Sequence, residues 1–183
     1  MPDRVVGVVL AAGAGRRFGR PKATVGNWLT IAVDALRDGG CAEVVVVLGA
    51  ARVPPIPATT TVVAPEWAQG MSASLRTGIG AAQRLDAAYV ALHVVDTPDV
   101  GADVVARVIE GAMAAPDGIA RASFAGRPGH PVVIARRHWA DLLPTLSGDR
   151  GAAAYLRSVS AHTVECGDLA TGRDIDEPGD LER

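Results

Sequence analysis

The chain has 183 residues, a formal net charge of −2, 49% hydrophobic residues and only 4% aromatic ones. That length allows one domain with a substantial core of small and β-branched side chains. The balanced charge gives no reason to expect nucleic acid or an anionic membrane as a partner, and the apolar run at residues 5–10 is too short for a signal peptide or a membrane span, so a cytoplasmic location is expected.

The run 5–10 reads as a strand, and it leads directly into a Gly- and Arg-rich loop, Gly13 to Lys22. Gly13 and Gly15 let backbone N–H groups approach an anion closely. Arg16, Arg17 and Arg20 add positive charge, Lys22 adds a mobile ammonium, and Pro21 pushes Arg20 towards an extended conformation. Gly13, Gly15 and Gly19 give G-x-G-x-x-x-G, which is not the dinucleotide fingerprint, and Gly19-Arg20-Pro21-Lys22 is not the end of a P-loop. Helical spacing follows at 28–37. Cys41 lies beyond it, far from Cys166 and outside any C-x-x-C pattern, so both read as core thiols. Strand-length runs at 44–48 and 61–64 flank a stiff connection containing Pro54, Pro55 and Pro57.

Next come a helix over 71–84, a strand over 89–95 and a helix over 103–113. Strands at 119–124 and 131–135, helices at 138–143 and 152–159, and a strand at 162–166 complete the chain. Before the first of these helices, Gly70 permits an unusual backbone angle, while Ser72 or Ser74 could cap the helix or hydrogen-bond a ligand. Asp96 follows an apolar strand, where a carboxylate reaches the mouth of the sheet and suits Mg²⁺, a hard ion that prefers oxygen ligands. Asp99 reads as the cap of the following helix. Asp174 and Asp176 alternate across Ile175 and share one face of an extended chain. His93 lies within an apolar strand and reads as a core residue, whereas His130, between Gly129 and Pro131, is equally a ligand contact or a structural histidine. Alternating strands and helices imply an α/β fold with a mainly parallel sheet, whose ligands bind beyond the carboxyl ends of the strands.

The stretch Leu10-Ala-Ala-Gly-Ala-Gly-Arg-Arg-Phe-Gly-Arg-Pro-Lys22 closely resembles the L-A-[AG]-G-x-[SG]-x-R-[MF]-G-x-x-K signature of the MobA-like NTP transferases. Three further stretches resemble that family in order: 67–78, 92–99 and 173–181. The last departs from the family pattern, with Glu177 in place of the usual Thr and Gly179 in place of an acidic residue. The family's longer apolar segment after this Lys, which contains a Gly-x-Pro-Leu element, is abbreviated here to Lys22-Ala-Thr-Val-Gly-Asn-Trp-Leu29. The resemblance implies a single domain over 1–183, a Rossmann-like three-layer α/β/α sandwich of the nucleotide-diphospho-sugar transferase type.

It also implies roles. Leu10, Ala11, Ala12, Gly13, Ala14, Gly15 and Lys22 would bind the nucleotide, with Gly70, Ser72 and Ser74 near it. Arg17, Lys22 and Asp96 would be catalytic, Mg²⁺ would lie on Asp96 with Asp174 or Asp176, and His130 would face the acceptor together with residues 146–152. A phosphate oxygen of the acceptor attacks the α-phosphorus and pyrophosphate leaves in line, so the protein's work is positioning and neutralisation of charge. Leu10-Ala-Ala-Gly13 stands where guanylyl-transferring relatives carry L-A-G-G, which favours CTP over GTP. The expected acceptor is molybdopterin, which admits a partner molybdoenzyme. The alternatives are a sugar or polyol phosphate acceptor, or a non-catalytic molybdoenzyme maturation factor.

Overall fold

Apolar, β-branched Val5–Ala11 forms strand β1, and every one of its residues is buried. The protein is described here by a computed structural model covering residues 3–182, so residues 1–2 and 183 of the expected domain span lie outside the described residues. The further strands are β2 (Glu43–Leu48), β3 (Thr60–Val63), β4 (Tyr89–Val94), β5 (Ile119–Phe124), β6 (Arg127–Ala135) and β7 (His162–Glu165). They form one seven-stranded sheet in the order β3-β2-β1-β4-β6-β5-β7. The helices are α1 (Trp28–Asp38), α2 (Met71–Arg84), α3 (Ala102–Ala114), α4 (Trp139–Leu142) and α5 (Ala153–Ser158).

Side-chain alternation along β1 divides the core into two layers. Val9 and Val46 pack with Leu29, Val33 and Leu36 of α1 and with Val104 and Val108 of α3. Val8 and Val47 pack on the opposite face with Leu75 and Ile79 of α2, Trp139 of α4 and Leu156 of α5. The result is the expected three-layer α/β/α arrangement, and it explains why β1 carries no polar face.

Strands β1, β2, β3 and β4 pair in parallel, but β6 runs antiparallel to both β4 and β5. The cause is local. β5 and β6 are joined by Ala125 and Gly126, both with positive φ (51° and 77°), a two-residue connection of the kind that twists with a hairpin and is far too short for a parallel crossover. This hairpin is absent from the sequence-based expectation, which placed the second strand at 131–135 rather than Arg127–Ala135. The proline-bearing connection between β2 and β3 joins parallel strands without a helix.

After β7 the chain doubles back across the carboxyl ends of the strands. The Ile175 N–H donates to the Asp96 carbonyl (2.9 Å). One oxygen of Asp99, Oδ2, accepts from the Thr171 N–H (2.7 Å), the Thr171 hydroxyl (2.6 Å) and the Gly172 N–H (3.2 Å). Asp99 therefore does not cap α3 as expected; Gly101 holds the cap position, and Asp103 accepts from the Val104 N–H. Both cysteines are buried and free. Among the described residues no helix is long and apolar enough to cross a membrane.

Candidate active site

The loop after β1 turns through Gly15, whose φ is +60° and whose carbonyl accepts the Gly19 N–H at 2.8 Å. A Cβ on Gly15 would overlap the Arg20 carbonyl, so the close return of this loop demands glycine on both steric and backbone grounds. Pro21 (φ −57°, ψ 127°) then redirects the chain into a single 3₁₀ turn, Lys22–Thr24, separating Lys22 from the loop proper.

That separation aims Lys22 inward. Its Nζ donates to Asp96 Oδ2 and to Asp176 Oδ1, both at 2.8 Å, while Arg17 Nη2 lies 3.3 Å from Asp176 Oδ2. Three segments distant in sequence thus meet at the carboxyl edge of β1 and β4. Burial opposes the charge of Lys22, but the bonds and charges of Asp176 and Asp96 outweigh it and hold the ammonium above its usual 10.5. Asp174 joins the cluster electrostatically. Burial, followed by the charges of Asp96 and Asp176, raises its carboxyl above the usual range, and Lys22 offsets part of the effect.

Around this cluster lie three adjoining clefts, and Leu10 and Met71 border all of them. The first, about 280 Å³, is lined by Leu10, Ala11, Gly13, Gly15, Arg17, Lys22, Asp96 and Asp176 among others. The second, about 530 Å³, is lined by Ala12, Gly13, Ala14, Gly15, Gly70 and Ser74. The third, about 210 Å³, contains His130 together with residues 149–153, so the two stretches expected on the acceptor side do share one pocket.

Two expectations about α2 change. The cap position is Gly70, at φ 111°, so neither Ser72 nor Ser74 caps the helix. A Cβ on Gly70 would collide with the Asp149 carboxylate and the Gly148 backbone, which explains the glycine. Ser74 reaches the second cleft, but Ser72 is 1% exposed, lines none of the clefts, and has a hydroxyl with no partner among the described residues.

Sequence reasoning did not single out Met71, Trp67 and Phe18 as cleft-lining residues, whereas Asp149, which borders the second and third clefts, lies within the stretch 146–152 expected on the acceptor side. Gly148 (φ 55°) and Gly151 (φ 54°) flank Asp149 and Arg150 and shape the turn that presents them. His93 is buried as expected, but its Nδ1 has no partner among the described residues, and burial followed by the charge of His130 lowers its pKa to about 3.

Among the described residues no three His, Cys, Asp or Glu side chains form a group able to hold a metal ion. The donors at the cleft are nevertheless all hard carboxylate oxygens. Mg²⁺ is commonly held by one or two carboxylates completed by substrate phosphates and water, and that is the demand this donor set can meet.

Known proteins resemble this chain in sequence and in fold. A curated relative, the nicotine blue oxidoreductase of Paenarthrobacter nicotinovorans, is 37% identical and aligns over 94% of this chain and 92% of its own. Rv0371c of Mycobacterium tuberculosis superposes with a TM-score of 0.81 at 26% identity, covering 100% of this chain and 98% of its own, and its manganese complex gives 0.77 at 25%, covering 98% and 97%. A nucleotidyl transferase from Methanothermobacter thermautotroptrophicus shares the fold, with a TM-score of 0.81 at 20% identity over 98% of this chain and 95% of its own. The model of the MobA-like NTP transferase domain matches residues 7–165, from within β1 to the end of β7. By that match, the chain belongs to the MobA-like NTP transferase family of nucleotidyltransferases.

Proposed function

We propose that the protein transfers a nucleotidyl group, CMP in preference to GMP, from a nucleoside triphosphate to a phosphorylated small-molecule acceptor, with molybdopterin the favoured acceptor. The observation that carries this reading is the Lys22 bridge, 2.8 Å to each of Asp96 and Asp176, inside the cleft that Gly13 and Gly15 line. Backbone N–H groups of the loop would hold the β and γ phosphates, and Arg17 and Lys22 would neutralise charge on the departing pyrophosphate. A divalent cation, Mg²⁺ in this proposal, would be held by Asp96 with Asp174 or Asp176 and would supply charge neutralisation at the phosphates. Lys22 then exchanges carboxylate partners for phosphate oxygens, which is within reach of a four-carbon stem.

Pyrophosphate release is the test, measured with each of CTP, GTP, ATP and UTP, with Mg²⁺ or Mn²⁺, and with molybdopterin, a sugar phosphate or a polyol phosphate as acceptor. Release with CTP and molybdopterin is the expected result. Release only with a sugar or polyol phosphate moves the acceptor, and tight nucleotide binding without release under every condition indicates a maturation factor, for which a partner molybdoenzyme would be sought.

The 37% identity to nicotine blue oxidoreductase favours one second reading, an oxidoreductase acting on nicotine blue, which would call for a dinucleotide redox cofactor on the same loop. The loop spacing, G-x-G-x-x-x-G, departs from the dinucleotide fingerprint and argues against it. Oxidation of NADH or NADPH in the presence of nicotine blue, without pyrophosphate release, would establish it.

A further inference from the structure

The third cleft contains a cation that the reaction outlined above leaves unused. Arg121 stands on β5, flanked on the same face by Ile119 and paired across to Val132 of β6, both in the apolar layer beneath α2, α4 and α5. Its Nε is buried and without a hydrogen-bond partner, and among the described residues no carboxylate pairs with its guanidinium. Burial and the charge of Arg157 lower its pKa. A half-buried guanidinium in this state is costly, because desolvation is not repaid by a counter-ion. Such a charge is retained where a ligand supplies the missing anion.

The rest of the pocket defines that ligand. His130 also lines it, and burial lowers its pKa to about 4, so the ring is neutral near pH 7 and can give or take one hydrogen bond. Asp149 and Arg150 stand on the exposed rim with opposite charges, which leaves Arg121 as the net charge of the pocket. Leu92, Val132 and Leu156 form apolar walls in a volume of about 210 Å³. A polyol would leave its hydroxyls unpaired against these walls, whereas a flat or aliphatic body would not. Leu10 and Met71 border this pocket and both of the other clefts, so it adjoins the proposed nucleotide site.

We infer that Arg121 is the acceptor's phosphate-binding residue and that the acceptor is a phosphate monoester with a compact apolar or aromatic body rather than a polyol phosphate. This rests on the nucleotidyl-transfer reading for its biological meaning, but the binding it describes can be measured alone.

Calorimetric titration with phenyl phosphate, glycerol 3-phosphate, inorganic phosphate and benzyl alcohol tests it, with the nucleotide clefts filled by a non-hydrolysable CTP analogue and Mg²⁺. Phenyl phosphate is expected to bind at least tenfold more tightly than the other three, and Arg121→Gln to weaken it by about ten- to a hundredfold, with partial recovery in Arg121→Lys. Affinity for the CTP analogue should be unchanged in each variant. Arg121→Met, which removes an unpaired charge from an apolar layer, should melt above the wild type without ligand. Equal binding of glycerol 3-phosphate, unchanged phenyl phosphate affinity in Arg121→Gln, or a lower melting temperature in Arg121→Met would overturn the inference. Loss of CTP-analogue binding in Arg121→Gln would overturn it too, by moving Arg121 into the nucleotide site. If the wild type binds phenyl phosphate through Arg121 and yet releases no pyrophosphate from any NTP, the inference stands while nucleotidyl transfer fails.

Discussion

At the scale of single residues, the site is one cation shared by acids drawn from two distant segments. Removing it should leave the fold intact, because Lys22 contacts cleft carboxylates rather than the core. Lys22→Ala and Asp96→Ala are each expected to lower kcat by about 10²- to 10³-fold with unchanged circular dichroism, as for loss of one preorganised electrostatic group. Near-wild-type turnover in either folded variant would remove these residues from the mechanism. His93 makes a separate prediction. Its folded pKa of about 3 lies below the unfolded 6.5, so the unfolded chain takes up a proton first and stability falls as pH drops from about 6.5. The slope is at most about 1.4 kcal/mol per pH unit for His93, and the lowered pKa of His130 acts in the same direction down to about 4. Urea unfolding between pH 7 and pH 5 should show a flatter profile for His93→Leu than for the wild type.

At the scale of elements, the segment after β7 is a strap anchored by Asp99, with the Ile175 N–H on the Asp96 carbonyl and Asp176 on Lys22 as further ties. Asp99 Oδ2 accepts three hydrogen bonds from Thr171 and Gly172, and that anchor brings Asp174 and Asp176 to the mouth of the sheet. Asp99→Ala should raise amide hydrogen exchange at residues 171–176, cost about 1–3 kcal/mol in stability, and raise the Mg²⁺ concentration needed for half-maximal transfer. Unchanged exchange there would mean that other contacts hold the strap. The loop after β1 is held differently, by backbone sterics. Gly15→Ala cannot keep both its positive φ and the return past the Arg20 carbonyl, so CTP affinity should fall by at least tenfold while the sheet is preserved. Isothermal titration with CTP and Mg²⁺ measures it.

For the molecule as a whole, both apolar layers pack on opposite faces of the same strands β1, β2, β4, β5 and β6, so neither can be lost without the other. The chain is expected to unfold as one domain in a single cooperative transition, with fluorescence and circular dichroism midpoints coinciding in urea. Two separated midpoints would divide it. A nucleotide that binds only the folded state at a hundred times its Kd should add about 2.7 kcal/mol, and a thermal-shift series over the four NTPs with Mg²⁺ ranks the bases directly.

How much of this was legible depends on the range of the interactions involved. The apolar runs, the break at Pro21, the loop glycines and the alternation of Asp174 with Asp176 are properties of adjacent residues, and strand order along the chain follows from them. The hairpin at Ala125 and Gly126 was missed because two left-handed residues without an Asn-Gly pair leave a weak mark in a sequence. Asp99 was assigned to a cap because a nearby helix start is the commonest local partner for an aspartate, whereas its real partners lie 72 and 73 residues away. The sequence by itself determined the fold class and the chemistry available at the end of β1, since both depend on local spacing and residue type. Only the tertiary structure decided which acids meet Lys22, which serine reaches the cleft and which arginine is left unpaired in an apolar layer, because those outcomes depend on how the sheet and its returning tail converge in space.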